Sequence, residues 1–383
     1  MPFRRRAGLL AALALAAWLL ANWPLASAAA PQPGPAPVAA PADVTRTLSV
    51  NGYDRHYLYV VSAAAAPALG RPLVIFLHGD GGTLGLSAAW RAAVLSDANG
   101  AVLLSAEGRN NIPAAALIDG SAWRFRMDEA GQPYDDVDFI NQLITQAIDS
   151  GSPLLGTSID PDQVYVVGES RGAAFAYYLY ADPRTRNKIW AIVPLSGTFY
   201  CDGSAESPGT PGTGMTPGSD ATCGEVSPYG YYGPKAELFT APGVTRVPHI
   251  LDIHGQLPPN GADGVDTAPP ALDQDYESPQ WAGWGDAAGC YTVQVSSQTE
   301  QTLAQPIGGK TVKTYAYSQS LDNLSARCAG LDLTFYIVQG GGHVPSGFAP
   351  AAWCYLSTVG GAPSATACVS ALSYRLYLPA LLK

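Results

Sequence analysis

Residues 164–175 read Val164-Tyr165-Val166-Val167-Gly168-Glu169-Ser170-Arg171-Gly172-Ala173-Ala174-Phe175. An apolar run of strand length ends at Gly168, and helix-compatible spacing starts just after Ser170, over Ala173–Tyr180. A Gly-x-Ser-x-Gly pattern at that junction predicts a sharp turn from a buried strand into a helix, with the serine at its apex. Gly168 and Gly172 carry no side chain, so neighbouring backbone can approach the turn closely. The pentapeptide alone is a weak signal in a chain with 41 glycines. Its place between strand and helix gives it weight.

Outward from this turn, strands and helices alternate. Leu73-Val74-Ile75-Phe76-Leu77 is a continuous apolar run ending in His78-Gly79-Asp80-Gly81-Gly82. Such a run, bounded by glycines, suits a strand buried on both faces of a parallel sheet. Ala101–Leu104, Ile189–Leu195, His249–Ile253 and Leu333–Val338 read the same way, and Val137–Ile148 has helical spacing. Thr45–Val61 alternates in patches around Asn51-Gly52, which predicts a hairpin. The expected fold is a mostly parallel, doubly wound α/β sheet with helices on both faces. No internal repeat is present. Residues 201–235 are rich in Gly, Pro, Ser and Thr and hold two cysteines, so they read as a disulfide-bearing loop insertion.

The chain has 383 residues, 47% hydrophobic and 14% charged, with 41 Gly, 32 Pro and 6 Cys. At its start, Arg4, Arg5 and Arg6 precede an apolar run from Ala7 to Leu20 and an Ala26-Ser27-Ala28 cleavage signal. Residues 1–28 are therefore expected to be a signal peptide, and the protein to be secreted. No later segment is apolar enough to span a membrane once the leader is removed. Residues 29–42 form an Ala/Pro-rich linker, 43–373 the folded domain, and 374–383 an apolar tail compatible with cell-surface retention. Removing the leader takes the formal charge from −10 to −13. That balance argues against nucleic acid or an anionic membrane as partner, and leaves the oligomeric state open. In an exported chain the six cysteines imply three disulfides, most simply 201–223, 290–328 and 354–368. Their spacing fits no metal site.

A serine hydroxyl needs a base to act as a nucleophile. Five histidines are present: His56, His78, His249, His254 and His343. His56 lies in the expected hairpin and His249 begins a strand. His78 and His254 each end a strand before a glycine, positions that suit bracing the next loop. His343 follows the last strong strand on the glycine-rich loop Gln339-Gly340-Gly341-Gly342, late in the chain, where the order Ser, acid, His places a base. Two amides would hold an oxyanion, worth about 3 kcal/mol each. The candidates are those of Arg171, after the serine, and Asp80, in the loop after Leu77. That loop fails as a dinucleotide fingerprint, because Leu84 stands where the last glycine of Gly-x-Gly-x-x-Gly belongs.

Five segments carry a resemblance: PLVIFLHGDGG (72–82), DDVDFINQLI (135–144), DPDQVYVVGESRGAAFAYYL (160–179), ILDIHG (250–255) and CAGLDLTFYIVQGGGH (328–343). In them the chain resembles the secreted esterases that include polyhydroxybutyrate depolymerases and feruloyl esterases. The resemblance implies an α/β-hydrolase fold and a Ser-His-Asp triad. It also implies hydrolysis of carboxylic esters, polymeric or phenolic-acid, without a cofactor or metal. Ser170 and His343 fall on the family's motif positions. The acid departs: an HGxxD segment is expected after the strand, yet Pro258 stands at the Asp position of His254-Gly255-Gln256-Leu257-Pro258. Asp263 is the first candidate in its place, with Asp266 and Asp252 as alternatives. Trp123, Tyr200, Tyr229, Tyr231, Tyr232, Trp281 and Trp284 are candidates for a substrate wall, with core packing as the competing role. A serine peptidase of the same fold and a non-catalytic binding protein on a decayed hydrolase scaffold are the rival readings.

Overall fold

Asn51 and Gly52 both adopt left-handed backbone, with φ of 52° and 79°. This is the geometry of a two-residue hairpin turn whose twist matches the strands it joins. It links β1 (Val44–Val50) to β2 (Tyr53–Val61) in an antiparallel pair. The computed structural model describes residues 42–95, 100–108, 123, 135–151, 153–197, 238–244, 246, 249–255, 284, 307–312 and 332–359, with the backbone alone of 223–226, 232–234, 237, 256, 301–302 and 313–316.

The other elements follow in chain order. They are β3 (Arg71–Leu77), α1 (Ala88–Trp90, continued by a wider π turn over Arg91–Leu95), β4 (Val102–Ala106), α2 (Asp136–Ile148), β5 (Ile159–Glu169), α3 (Arg171–Ala181) and β6 (Ala191–Leu195). Then come β7 (Cys223–Val226), β8 (Tyr232–Pro234), α4 (Glu237–Thr240), β9 (His249–Gln256), β10 (Gln301–Thr302), β11 (Val312–Ala316), β12 (Asp332–Gln339) and α5 (Ala349–Val359). Ten strands form one sheet in the order β1-β2-β4-β3-β5-β6-β9-β12-β11-β10. The run β4-β3-β5-β6-β9-β12 is parallel, with antiparallel strands at both ends.

Alternate residues of the central strands feed two separate cores. Leu73, Ile75 and Leu77 pack with α2 and α3 on one face. Val74 and Phe76 pack with Trp90 of α1 and Leu356 of α5 on the other. All seven residues of β3 are buried, as a strand covered on both faces must be.

Polar anchors fix the first of these faces. Asp135 caps α2, accepting from the amides of Val137 and Asp138. Its other oxygen takes a hydrogen bond from Arg184 Nη1 at 2.6 Å. Asp136 forms a buried ion pair with Arg55 of β2.

The chain passes from β3 to β4 on one side and returns to β3's other side as β5. The carboxyl ends of β3 and β5 therefore flank a topological switch point, where open α/β sheets place ligands. Within residues 201–235, expected to be loop throughout, β7 and β8 pair as a short antiparallel ribbon. Strands of four and three residues are too short to display a period in sequence. The leader, the C-terminal tail and at least one member of each expected disulfide lie outside the described residues. Among the described residues, no helix is long and apolar enough to cross a membrane.

Candidate active site

Ser170 sits between the last residue of β5 and the first of α3, with φ 53° and ψ −116°. A positive φ is uncommon for any residue but glycine, and here it lifts the serine out of the strand-to-helix path. Close packing over-determines the turn. A Cβ at Gly168 would lie 2.0 Å from the Gly172 carbonyl oxygen, and one at Gly172 would lie 2.3 Å from that of Leu77. Only glycines allow helix, strand and the end of β3 to meet this closely. The Ser170 amide donates to Leu195 O of β6 at 2.8 Å, tying the elbow to the next strand. Because α3 starts immediately after Ser170, the positive end of its dipole lies beside the serine.

The loop after β3 abuts this elbow. The Gly82 amide donates to Gly79 O at 3.0 Å, and Gly81 has φ 73°. Together they make a type II turn with Asp80 at its second position. A Cβ at Gly79 would stand 3.2 Å from Ser170 Cβ. Arg171 Nη1 and Asp80 Oδ1 approach to 3.6 Å. The two residues expected to supply oxyanion amides are thus neighbours at the elbow. Their side-chain pair is partly exposed and stabilises little by itself.

His78 is buried and braces this loop. Its Nε2 accepts from the Gly108 amide at 3.0 Å, so the proton belongs on Nδ1, which faces Gly79 O at 2.7 Å. Burial pushes its pKa down, favouring this neutral form. Trp123 Nε1 donates to His78 O at 2.7 Å, and its ring stacks on Phe175 at 4.9 Å. Trp284 is enclosed by Tyr177, Tyr180 and Phe239. Both tryptophans are fully buried core residues, which corrects their candidacy for a substrate wall. A tryptophan buries more area than any other side chain, and each of these rings is in contact on its faces. Of the other aromatic candidates, Tyr200, Tyr229, Tyr231 and Trp281 lie outside the described residues, and so does the side chain of Tyr232.

At the same sheet edge, β12 runs parallel to β9, with Gly255 opposite Val338. The Gly341 amide folds back onto Val338 O at 2.9 Å. The loop then crosses the end of β9 so closely that a Cβ on Gly255 would lie 2.0 Å from Gly342 O. His343, at the tip of this loop, is exposed. It lies within electrostatic reach of Glu169, the residue before Ser170. Burial pushes the Glu169 carboxyl up, and His343 partly opposes that.

Asp252 faces the interior from the middle of β9 and is 2% exposed. Its Oδ2 accepts from Tyr177 Oη at 2.5 Å, and its Oδ1 is 2.8 Å from His254 Nε2. Oδ2 is held by Tyr177, whereas the approach of Oδ1 to His254 is an ion-pair contact without hydrogen-bond geometry. Asp263 and Asp266 lie outside the described residues. The Tyr177–Asp252–His254 cluster was missed in the sequence. The one available signal was the Asp-x-His spacing, which puts both side chains on the same face of a strand. Among the described residues, no group of three or more His, Cys, Asp or Glu side chains is placed to hold a metal.

No family model matches the chain. A protein of Nocardia uniformis subsp. tsuyamanensis named "Putative esterase NocK" is 30% identical over 234 residues, covering 58% of this chain and 57% of that protein. The chain thus spans little more than half the length of this curated relative. Among solved structures, an acetyl xylan esterase from Aspergillus awamori aligns with a TM-score of 0.45 at 15% identity, over 79% of this chain and 95% of the other. An arylesterase aligns with a TM-score of 0.38 at 14% identity, over 83% and 82%. The parallel core, its switch point, and a positive-φ serine joining β5 to α3 make this an α/β-hydrolase fold.

Proposed function

We propose that the chain is a secreted serine esterase that hydrolyses carboxylic esters through an acyl-enzyme. The observation that carries this reading is the strained Ser170, set at a helix N-terminus beside the Gly79–Gly82 turn, with the His343 loop at the same sheet edge. In this mechanism His343 takes the Ser170 proton as Oγ attacks the ester carbonyl. The amides of Arg171 and Asp80 hold the oxyanion, the alcohol leaves with the proton from His343, and water releases the acid by the reverse sequence. Asp263 is assigned as the acid behind His343, with Asp266 as its alternate. Asp252 is set aside because it is 2% exposed in the middle of β9, with Oδ2 held by Tyr177. The name of the Nocardia relative supports the esterase class. The resemblance to polyhydroxybutyrate depolymerases and feruloyl esterases points to polyester or phenolic-acid esters as substrates.

The test is treatment with a fluorophosphonate probe, followed by peptide mapping, together with hydrolysis of p-nitrophenyl acetate. Labelling at Ser170 with measurable turnover is the expected result. A folded protein that is neither labelled nor active would refute the reading.

Two further outcomes probe the site. Gly255→Ala must displace Gly342, because the new methyl group meets backbone oxygen rather than a movable side-chain tip. A shift of about 1 Å in His343 is enough to reduce kcat about 10²-fold. Far-UV circular dichroism should stay unchanged; an Ala variant with wild-type kcat would show that the seat does not matter.

Glu169→Gln removes a carboxyl group whose pKa burial raises, with the nearby His343 partly opposing the rise. The sign for stability follows from the same burial. With its folded pKa raised above the usual 4.5, ionising Glu169 costs stability as pH rises through the shifted value. Gln should relieve that cost at neutral pH. Urea unfolding at neutral pH reads the effect; an unchanged or lower midpoint in the Gln variant would show that ionised Glu169 is not penalised in the folded protein.

A further inference from the structure

Two polar sites lie between the sheet and α3 among the described residues: Tyr180 Oη bonds to Trp190 O and the His249 amide at the far end of the helix, and a cluster of side chains lies closer to Ser170. Tyr177, Asp252 and His254 meet there, with relative exposures of 0%, 2% and 8%. Around them stand Trp284, 5.7 Å from Tyr177 between ring centres, and Phe335, 5.2 Å from His254. Burying such a set costs desolvation, and apolar residues of equal volume at such sites are often neutral or stabilising. Stability alone is therefore a poor reason for the cluster.

Its position suggests another. Tyr177 is seven residues after Ser170, two turns along α3, and so lies on the same side of that helix. Its hydroxyl donates to Asp252 Oδ2 at 2.5 Å. Asp252 Oδ1 stands 2.8 Å from His254 Nε2. His254 is followed by Gly255, whose backbone seats Gly342, the residue before His343. The helix that starts at the nucleophile and the loop that carries the base are thus joined by side chains. The alternative route between them, through the sheet, crosses β5, β6 and β9.

We propose that Tyr177, Asp252 and His254 are positioning residues that set the Ser170-to-His343 geometry. The idea rests on the esterase reading above. None of the three touches substrate. Asp252 serves as the hub: Tyr177 holds it from the helix and His254 holds it from within the strand. Loss of either contact leaves the base loop less well placed, while the substrate-binding surface is left alone.

The experiment compares wild type with Tyr177→Phe, His254→Leu and His254→Gln. Each is checked for native circular dichroism, then assayed for p-nitrophenyl acetate turnover and for the rate of Ser170 labelling by fluorophosphonate. Tyr177→Phe removes one oxygen and His254→Leu removes the ring nitrogens. Both should lower kcat and the labelling rate about tenfold, with KM within twofold. Gln presents an N–H where His254 Nε2 stands, so His254→Gln should recover both rates to within about threefold of wild type. A purely structural role would not produce that split or that rescue. Wild-type kcat in folded Tyr177→Phe would overturn the inference, as would equal loss in the Leu and Gln variants. A wild-type protein that is unlabelled and inactive would instead overturn the esterase reading, and this inference with it.

Discussion

Ser170→Ala is expected to lower ester hydrolysis by at least about 10³-fold and to abolish labelling by a fluorophosphonate. The substitution removes only Oγ. Alanine tolerates φ 53° no worse than serine does, so the turn, the Ser170 amide bond to Leu195 and the helix start should persist. What survives would be catalysis by the oxyanion amides and by binding, acting on water instead of the serine. Turnover of p-nitrophenyl acetate by the two purified proteins, at matched circular dichroism, measures it. Equal rates would mean that another group does the chemistry, and the assignment of this sheet edge as the active site would fall.

The second large effect is on stability. Asp136→Ala should destabilise the fold by about 3–5 kcal/mol, because it leaves the Arg55 guanidinium buried with its counter-charge gone. Arg55 is 3% exposed and Asp136 fully buried. Among the described residues, the guanidinium of Arg55 also donates to Glu107 O, at 3.2 Å from Nη2, and stands over the Phe139 ring, whose centre is 4.2 Å from Cζ. Neither replaces a carboxylate. Urea unfolding followed by circular dichroism reads the change. The paired substitution Arg55→Met with Asp136→Leu should restore most of the loss, since neither charge then needs a partner. A single variant within 1 kcal/mol of wild type would show that water reaches the pair.

Much of the parallel core was legible because its strands are short apolar runs closed by glycine. Leu73–Leu77 became β3 and Val164–Val167 lies within β5 for that reason. Helix α2 was legible because Val137, Ile140 and Ile144 fall on one face. Helix α5 was not. Ala352, Trp353, Cys354, Tyr355, Leu356 and Ser357 are consecutive and all buried, so it has no polar stripe to give it a period. Strand β11 escaped because Val312–Ala316, Val-Lys-Thr-Tyr-Ala, is a brief run whose pairing with β12 and β10 comes from tertiary context.

In the site, Ser170 and His343 were readable from motif and order. The brace was not, because its members lie 75 residues apart or more along the chain, apart from Asp252 and His254. Trp123 stayed open between wall and core for a related reason. A sequence does not distinguish an aromatic ring that lines a cleft from one that closes the core beneath it.

The backbone at Ser170 has a consequence for how this chain can drift. Glycine would relax the φ of 53° and remove a standing strain, so loss of the hydroxyl there would be rewarded by the fold itself. β-Branched threonine, the other hydroxyl-bearing aliphatic, is sterically opposed at that φ. Among the small hydroxyl and thiol side chains, serine and cysteine remain. Mutation at this one position therefore has two easy directions: toward a thiol that keeps the chemistry, or toward a more stable, silent scaffold.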